Sequence, residues 1–387
     1  MTKVVFASEF VNGHAHTAAF ARRSNSLARE LAKLGMKVWL VTGERGESAV
    51  SPAGVAVVRF PYLLKNGSRL GVTGRSASSL AFGWAFTRFV RRVAPDVVIA
   101  SFHEPIQGLL AVLAGRMCGA HTIFDSHDSW LVLEHEHAGA MRNWVRKVLE
   151  SNAFHLADNV TTVTPTLRDT IATGYRLART KIHVVYNGAD PSQKTRVGEQ
   201  DVDVIHLGSP RAYYHTLEAL DAIAHVRRSG LPARFVFLGS TGEEYVTRVR
   251  EKTARLGLQD LVEFVPHVSF DVVGEWLDRA KVALHTITPD PVYKCAIGMK
   301  VFEYLAHGLP IVHMGSLDGE TAKLIRHRNC GLVAETPQEL GEVLVRVLRH
   351  EGLRQKLSNA AHQAAHEYSW EKSAKSIAQL IYRVPSG

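Results

Sequence analysis

Short apolar runs alternate with amphipathic helical patterns along the whole chain, and the alternation starts again after residue 203. In the first half, runs such as Val4–Ala7, Val38–Val41 and Val97–Ala100 are separated by segments with helical spacing. In the second half, Val204–Gly208 and Phe235–Leu238 begin the pattern anew. Strands that alternate with crossover helices form parallel sheets. The sequence therefore predicts two Rossmann-like α/β domains in one chain.

The length and the apolar content are sufficient for two such domains. The chain has 387 residues, of which 46% are hydrophobic, so each domain can bury a core of its own. The polar stretch that follows Asn187–Asp190 is typical of a linker. We expect a first domain over residues 1–187 and a second over 188–368. Residues 369–387 are predicted to form a final helix, capped by Ser369, that crosses back to the first domain.

Two features of the sequence bear on the compartment and on metal binding. The apolar run near the start, Val4–Ala7, is too short for a signal peptide, and no later run is long enough to span a bilayer. The three cysteines, Cys118, Cys295 and Cys330, lack metal-ligand spacing and form an odd set. We therefore expect a cytoplasmic protein without a zinc site or a disulfide framework.

The net positive charge is confined to the N-terminal half. Residues 1–186 hold 22 basic and 13 acidic residues, whereas the remainder holds 24 of each. Such a field favours anionic partners: a phosphorylated acceptor, an anionic membrane surface or nucleic acid. It is equally compatible with a chain that is merely soluble at neutral pH. Nucleic acid is disfavoured because no recognition element accompanies the basic residues.

A predicted helix from about Ser76 to Pro95 suggests where a membrane contact would lie. Trp84, Arg88 and Arg91 share one face of this helix, opposite a stripe of phenylalanines. An aromatic side chain beside arginines suits the surface of an anionic membrane. Packing of Trp84 in the core, with solvated arginines, is the alternative. The sequence thus allows a peripheral association with the inner face of the cell membrane.

An acidic residue on a short helix is the most unusual feature of the second half. In the segment Lys300–Val312, Glu303 shares a face with Lys300 near the start of a helix, while the apolar residues face the core. The opening of this helix, Gly298-Met299-Lys300, offers free backbone N–H groups and a positive dipole end, which favour a phosphate. We therefore expect a ligand to meet both charged side chains here.

At this point the chain resembles the retaining glycosyltransferases of the GT-B fold, specifically the family 4 group (glycosyl transferases group 1). This fold has two Rossmann-like domains that face each other across a cleft. Four motifs, in the order typical of that family, carry the resemblance: Asp125-Ser126-His127-Asp128, Asn187-Gly188-Ala189-Asp190, Lys300-x-x-Glu303-Tyr304-Leu305-Ala306-x-Gly308-x-Pro310, and Ser369-Trp370.

The resemblance implies an acceptor in the N-terminal domain and a nucleotide-sugar donor, with UDP or GDP, in the C-terminal domain. It implies a catalytic group of His127, Arg211 and Lys300. Glu303 would accept hydrogen bonds from two ribose hydroxyls. With it, the implied donor-binding residues are Gly13, Gly239, His267, Lys294, Gly298 and Met299, and the implied acceptor-binding residues are His14, His16, Asp128 and Trp130. Asp128 is a further candidate for orienting the ring of His127, and Trp130 for forming a stacking wall.

The resemblance also implies a hexosyltransferase that keeps the anomeric configuration by same-face attack, with the departing phosphate taking the acceptor proton. No carboxylate base is needed. The Asp201-Val202-Asp203 sequence falls in the expected linker, so we predict no essential metal or other cofactor. The expected acceptor is a glycan or a lipid-linked glycan.

Two departures from the family pattern keep other functions open. Cys295 replaces a glutamate that contacts the donor sugar in many members, and no lysine follows Arg211 closely, so Lys294 or Lys300 would have to compensate. The alternatives are a glycosyltransferase of a small natural product, a nucleotide-sugar epimerase of the same fold, and a degenerate protein that binds the nucleotide sugar without turnover.

Overall fold

The structure is a computed structural model of the 387-residue chain. It describes residues 1–9, 11, 18–44, 49–51, 53–60, 72–133, 139–191, 200–240 and 244–382. The chain divides into two compact units. The N-terminal unit comprises Met1–Asn187 and Trp370–Gly387, and the C-terminal unit comprises Gly188–Ser369.

The N-terminal unit is built on an eight-stranded sheet of order β3-β4-β2-β1-β5-β6-β7-β8. All strands are parallel except β3, which pairs antiparallel with β4. Apart from the half-buried Lys3 and the terminal serines Ser8 and Ser101, the two central strands are apolar, and every residue after Lys3 is buried, as a sheet covered on both faces requires. The strands are β1 (Lys3–Ser8), β2 (Lys37–Thr42), β3 (Ala49–Val50), β4 (Ala56–Arg59), β5 (Val97–Ser101), β6 (His121–Ser126), β7 (Asn159–Thr162) and β8 (Ile182–Val184).

Six helices accompany this sheet in the described residues of the N-terminal unit. The third lies between the second and the fourth and contacts both, while the last packs against the first. The fully buried Trp370 begins that last helix, which returns the chain to this unit after the C-terminal unit is complete. The helices are α1 (Ala18–Lys33), α2 (Val72–Val93), α3 (Pro105–Met117), α4 (Ala140–Leu156), α5 (Pro165–Gly174) and α14 (Trp370–Tyr382).

The C-terminal unit repeats the architecture with a six-stranded, all-parallel sheet of order β11-β10-β9-β12-β13-β14. Its strands are β9 (Val202–Leu207), β10 (Phe235–Leu238), β11 (Val262–Val265), β12 (Ala280–Thr286), β13 (Ile311–Met314) and β14 (Gly331–Ala334). Its helices are α6 (Thr216–Arg228), α7 (Glu244–Arg255), α8 (Phe270–Arg279), α9 (Pro291–Lys294), α10 (Met299–Ala306), α11 (Glu320–Arg328), α12 (Pro337–Arg349) and α13 (Glu351–Glu367). The alternation of strands and helices in both units agrees with the sequence prediction.

One expectation from the sequence and one of its alternatives are wrong. Strand β9 begins at Val202, so Asp203 lies in the sheet and not in a linker, and its carboxylate pairs with Lys281 of the neighbouring strand at 2.8 Å. Trp84 does not pack in the core: it is 65% exposed on α2, where Phe86 takes the buried position. Among the described residues, no helix has both the length and the apolarity needed to cross a bilayer.

Candidate functional site

Two glycines bring the ends of neighbouring strands into contact in the C-terminal unit. Gly208 and Gly239 follow β9 and β10, and both have φ of +102°, a conformation that side-chain-bearing residues rarely adopt. A Cβ atom on Gly239 would lie 3.4 Å from the Cα of Gly208. Because these two residues have no side chains, a ligand can approach the backbone closely at the carboxyl edge of the sheet. This edge is where open α/β sheets bind ligands.

Lys300, on the first turn of α10, reaches over this edge. Its Nζ lies 3.2 Å from where a Cβ of Gly208 would be, 3.5 Å from Nε2 of His206 and 3.5 Å from the ring centroid of Tyr214. Burial of the ammonium group lowers the pKa of Lys300 to about 7. Burial and the neighbouring Lys300 hold the pKa of His206 well below its usual range. A phosphate at this point would place a negative charge beside the ammonium group of Lys300.

The start of α10 also faces a buried histidine pair. Nδ1 of His313 lies 2.9 Å from the carbonyl oxygen of His285 and 3.0 Å from Nδ1 of His285. Because the carbonyl needs a donor, Nδ1 of His313 carries the proton, and the neutral His285 ring then carries its own proton on Nε2. That nitrogen is buried, has no hydrogen-bond partner among the described residues, and lies 3.5 Å from the Cβ position of Gly298. Burial lowers the pKa of both rings, that of His313 to about 4.

Glu303 lies on the second turn of α10 and is only 6% exposed. The expectation that this helix has an apolar face and a charged face is wrong in part, because all of Val301–Ala306 is buried. Tyr304 ties the helix to the sheet, since its hydroxyl accepts a 2.8 Å hydrogen bond from the backbone N–H of Leu207. The helix begins at Met299, as predicted, and Gly308 follows its end with φ of +59°. A buried carboxylate on a fixed helix is a rigid acceptor for a ligand.

The remaining predicted donor residues of this unit lie in different surroundings. Gly298 is the N-cap of α10 and Met299 its first residue. Arg211 precedes a short 3₁₀ turn, and its carbonyl accepts from Thr216 Oγ1 at 3.2 Å. His267 is exposed after β11. Lys294 forms an ion pair with Asp318 at 3.1 Å, so Lys300 is the lysine that lies at the glycine turn.

In the N-terminal unit, Asp125 at the end of β6 is the centre of a buried polar network. Arg23 of α1 donates to both of its carboxylate oxygens, at 2.7 and 3.0 Å, and both side chains are fully buried. Thr161 donates to Asp125 at 2.7 Å and Ser101 at 3.3 Å. Burial alone would raise the pKa of Asp125, but the Arg23 guanidinium and the hydrogen bond from His127 hold that pKa well below its usual range.

This network fixes the ring of His127. Nε2 of His127 lies 3.1 Å from Oδ2 of Asp125 and 2.8 Å from Oγ of Ser101, and Phe20 stacks on the ring at 4.8 Å. The carboxylate accepts the Nε2 proton, so Nδ1 is an acceptor whenever the ring carries a single proton. Orientation of the ring therefore falls to Asp125, and not to Asp128 as considered from the sequence. Asp128 is partly exposed in a small cleft beside His127.

Trp130 lies in the wall of the same cleft but does not offer an open face to a sugar. Its side chain is 7% exposed, the Arg146 guanidinium covers the ring at 4.0 Å, and the indole N–H donates to the carbonyl of His103 at 3.1 Å. The role of a stacking wall is not supported by this geometry. Glu150 stabilises the turn at Ser129 and Trp130, because its carboxylate accepts hydrogen bonds from the backbone N–H of Trp130 at 3.0 Å and from Ser129 Oγ at 2.8 Å.

Three residues predicted from the first loop, Gly13, His14 and His16, lie outside the described residues. In the part of the chain that the structure describes, no group of three or more histidine, cysteine, aspartate or glutamate side chains is arranged to hold a metal ion. The predicted residues that the structure brings together form two clusters, one around Lys300 in the C-terminal unit and one around His127 in the N-terminal unit.

Sequence reasoning missed the residues that support both clusters. Arg23 lies 102 positions before Asp125, so the sequence does not indicate that the two side chains meet. The one sign that the Arg23 side chain is buried is its place among small and apolar residues on α1. His206, His285 and His313 lie in three different strands and meet only through the register of the sheet, in which His285 pairs directly with His313. A polar residue inside an otherwise apolar strand is the signal that would have pointed to them.

Comparison with known proteins agrees with this geometry. The family model "Glycosyltransferase Family 4" matches residues 21–193, and the model "Glycosyl transferases group 1" matches residues 202–350. A D-inositol 3-phosphate glycosyltransferase of Nocardioides sp. is 27% identical over 37% of this chain and 31% of its own length. A GDP-Man:Man(3)GlcNAc(2)-PP-Dol alpha-1,2-mannosyltransferase of Dictyostelium discoideum is 25% identical over 37% of this chain and 28% of its own length.

The chain thus spans only about a third of the length of these curated relatives. Among solved structures, Alr3699/HepE of Anabaena in complex with UDP superposes with a TM-score of 0.74 at 16% identity, covering 99% of this chain and 100% of that chain. At this identity the likeness shows the fold alone. Since the two family models account for most of both units, the chain belongs to the glycosyltransferases of family 4 and group 1, and it has the GT-B fold.

Proposed function

We propose that this protein is a retaining glycosyltransferase that moves a hexosyl group from a nucleoside diphosphate sugar to a hydroxyl group of a glycan or a lipid-linked glycan. The observation that carries the proposal is the start of α10, where Lys300, the Nε2–H of His285 and the free backbone N–H groups of a helix converge beside a glycine turn. This combination suits a diphosphate.

The leaving group is the species that these donors would stabilise. When the bond between the anomeric carbon and the phosphate oxygen breaks, negative charge grows on the diphosphate. Fixed donors that already point at this charge lower the barrier without reorganisation. Lys300 contributes the full charge and His285 a neutral hydrogen bond, and Arg211 stands on the loop after the adjoining strand. Because these side chains supply the positive charge, we propose transfer without an essential metal ion.

Glu303 would hold the nucleoside. A carboxylate with two oxygens accepts hydrogen bonds from both hydroxyl groups of a ribose, and burial removes competing water. The donor base proposed is uracil or guanine. The Anabaena neighbour was solved with UDP, and the Dictyostelium relative is named for GDP-mannose and an acceptor on a dolichol diphosphate carrier. Both names support the nucleoside diphosphate class, and the name of the Dictyostelium relative also supports the lipid-linked acceptor class.

The same-face mechanism needs no carboxylate base. In this proposal the acceptor oxygen forms the new bond to the anomeric carbon on the face that the phosphate leaves, and the acceptor proton passes to the departing phosphate oxygen. Nδ1 of His127 accepts a hydrogen bond from a sugar hydroxyl, while Asp125 and Ser101 keep the ring in its tautomer. Asp128, partly exposed in the cleft beside the ring, is the proposed acceptor contact.

The anomeric outcome of the reaction tests the proposal. Incubation of the enzyme with UDP- or GDP-sugars, with a panel of glycosides as acceptors, should release the nucleoside diphosphate and give a product with the anomeric configuration of the donor, as read from the proton coupling constant by NMR. An inverted product would contradict the mechanism. Interconversion of donor sugars without an acceptor would indicate an epimerase, and tight binding without turnover would indicate a degenerate binding protein.

A further inference from the structure

Helix α4 carries a stripe of apolar side chains on its water-facing side. Met141 is 75% exposed, Trp144 61%, Val145 40% and Val148 39%, and this spacing puts all four on one face of the helix. The opposite face of α4 packs into the N-terminal unit, where Ala153 and Phe154 are buried. A contiguous exposed apolar stripe on a folded domain marks an interaction site.

The neighbouring helices extend this stripe into a broader surface. On α2, Leu80 and Trp84 are 59% and 65% exposed, and the Arg88 guanidinium lies 4.7 Å above the Trp84 ring. Helix α3 contacts both α2 and α4, and Met117 at its end is 66% exposed. We call the water-facing side of these three helices the α2–α4 surface. It presents two tryptophans on the helices that flank α3.

The charge of the α2–α4 surface has one sign. The sequence contains no acidic residue between Glu47 and Asp96, and within the three helices the sole acidic residue in the sequence is Glu150, which is buried. Arg91, Arg92 and Arg142 are all exposed. The surface therefore combines apolar and aromatic side chains with uncompensated positive charge.

We infer that the α2–α4 surface docks the protein on an anionic lipid bilayer. Tryptophan side chains favour the boundary between headgroups and acyl chains. A shallow apolar stripe of this kind inserts there while flanking arginines meet the lipid phosphates. The inference rests on this surface alone and goes beyond the proposed function, because it would hold for any activity of the two units.

The charge argues against the other partner that an apolar stripe suggests, a second copy of the chain. In a two-fold symmetric dimer the same surface meets itself, so the exposed Arg91, Arg92 and Arg142 of one copy would face those of the other, and the three helices themselves carry no exposed carboxylate. Like charges brought together in this way oppose association. An anionic membrane provides the complementary charge without that cost.

Flotation of the full-length protein with vesicles tests the inference. The wild-type protein should bind vesicles of equimolar phosphatidylglycerol and phosphatidylcholine at low salt, bind pure phosphatidylcholine vesicles far less, and be released by high salt. The double variant R91E/R92E should bind the anionic vesicles at least about thirtyfold more weakly, because each basic residue near the surface adds a factor of about five to partitioning. Trp144→Ser should also weaken binding and reduce the blue shift of tryptophan fluorescence on vesicle addition, leaving the part that comes from Trp84.

Matched variants keep the test specific. R228E/R255E reverses two exposed arginines of the C-terminal unit, and Tyr382→Ser removes a side chain that is 62% exposed on α14; both should bind vesicles like the wild type. The thermal midpoint of each variant confirms its folding. The inference is overturned if the wild type does not float, if the control variants lose binding to the same extent, if binding is indifferent to lipid charge, or if the protein without lipid forms dimers that Trp144→Ser dissociates. None of these readouts depends on catalysis, so they stand apart from the test of glycosyl transfer.

Discussion

Replacing Lys300 with methionine is expected to lower kcat/KM for the nucleotide sugar by about 10²–10³-fold, the usual cost of removing one fixed donor from a developing negative charge. The Nζ atom lies over the glycine turn with an aromatic ring on one side and an imidazole on another, so its position is fixed by its neighbours. Steady-state kinetics with a saturating acceptor measures the effect. Lys356→Met, an exposed lysine on α13, is the matched control and should change kcat/KM by less than about twofold.

The burial of Lys300 gives the same prediction a second readout. In the protein without ligand, the pKa of Lys300 is about 7. A bound diphosphate favours the ammonium form, so the pKa of Lys300 rises in the complex. Binding of the nucleotide therefore takes up a proton above pH 7. The affinity for UDP or GDP should fall by about fivefold from pH 7 to 8, and the fall should approach tenfold per pH unit at higher pH. His206 and His285 stay neutral throughout this range because their pKa values are depressed. Titration calorimetry should find this slope in the wild type and not in Lys300→Met. A flat wild-type profile would contradict the role of Lys300.

The second large effect is expected from the buried pair in the N-terminal unit. Arg23→Met should lower the free energy of unfolding by about 3–5 kcal/mol, because it leaves the Asp125 carboxylate buried without its cation and removes the hydrogen bonds from Arg23 to the Tyr186 carbonyl and the Asn187 side chain, both 3.1 Å long. Equilibrium urea unfolding, followed by fluorescence and circular dichroism, measures the loss. The ring of His127 would also lose its fixed partner, so activity should fall with stability.

Arg116→Met is the matched control for this variant. Arg116 pairs with Asp158 at 3.0 Å, but the two side chains are 47% and 35% exposed, so this pair should contribute at most about 1 kcal/mol. The pH dependence provides a further check. In the wild type, the stabilisation from Asp125 is present above the unfolded pKa of the carboxyl and is lost as the pH falls through its depressed folded value. Without Arg23, burial raises that folded pKa, so the difference between variant and wild type should narrow in acid. A loss in Arg23→Met no greater than in Arg116→Met would contradict the account of the network.

The sequence was sufficient to predict the two-domain fold because long-range structure follows from local pattern in parallel sheets. Apolar runs such as Val97–Ala100 are unambiguous when they alternate with helices, and the observed strand β5 adds one residue. Strands β3 and β4 were not predicted, since the first has two residues and the second is only partly buried along its length. Strand β3 lies at the edge of the sheet and is too short to show a pattern, whereas the apolar run Val55–Val58, most of which becomes β4, was overlooked.

The candidate site was predictable to the extent that it lies in one segment. Gly298, Lys300 and Glu303 are close in sequence, and their helix begins where the pattern placed it. The tautomer of His285 was not predictable, because it depends on His313 in the neighbouring strand and thus on sheet register. The covered ring of Trp130 was hidden for the same reason, as Arg146 comes from the following helix. Contacts between distant segments decide these details.

The central claim is that the buried carboxylate of Glu303 holds the nucleoside of a diphosphate donor. The most direct test is the thermal stability of the wild type, of Glu303→Ala and of a surface control, Glu342→Ala, with UDP, GDP, ADP and CDP in parallel. A ligand at about 100 times its Kd adds about 2.7 kcal/mol to the native state. The account predicts that UDP or GDP raises the midpoint of the wild type and of Glu342→Ala by several degrees, and that Glu303→Ala shows no rise. Equal stabilisation of Glu303→Ala, or no response of the wild type to UDP or GDP, would contradict it.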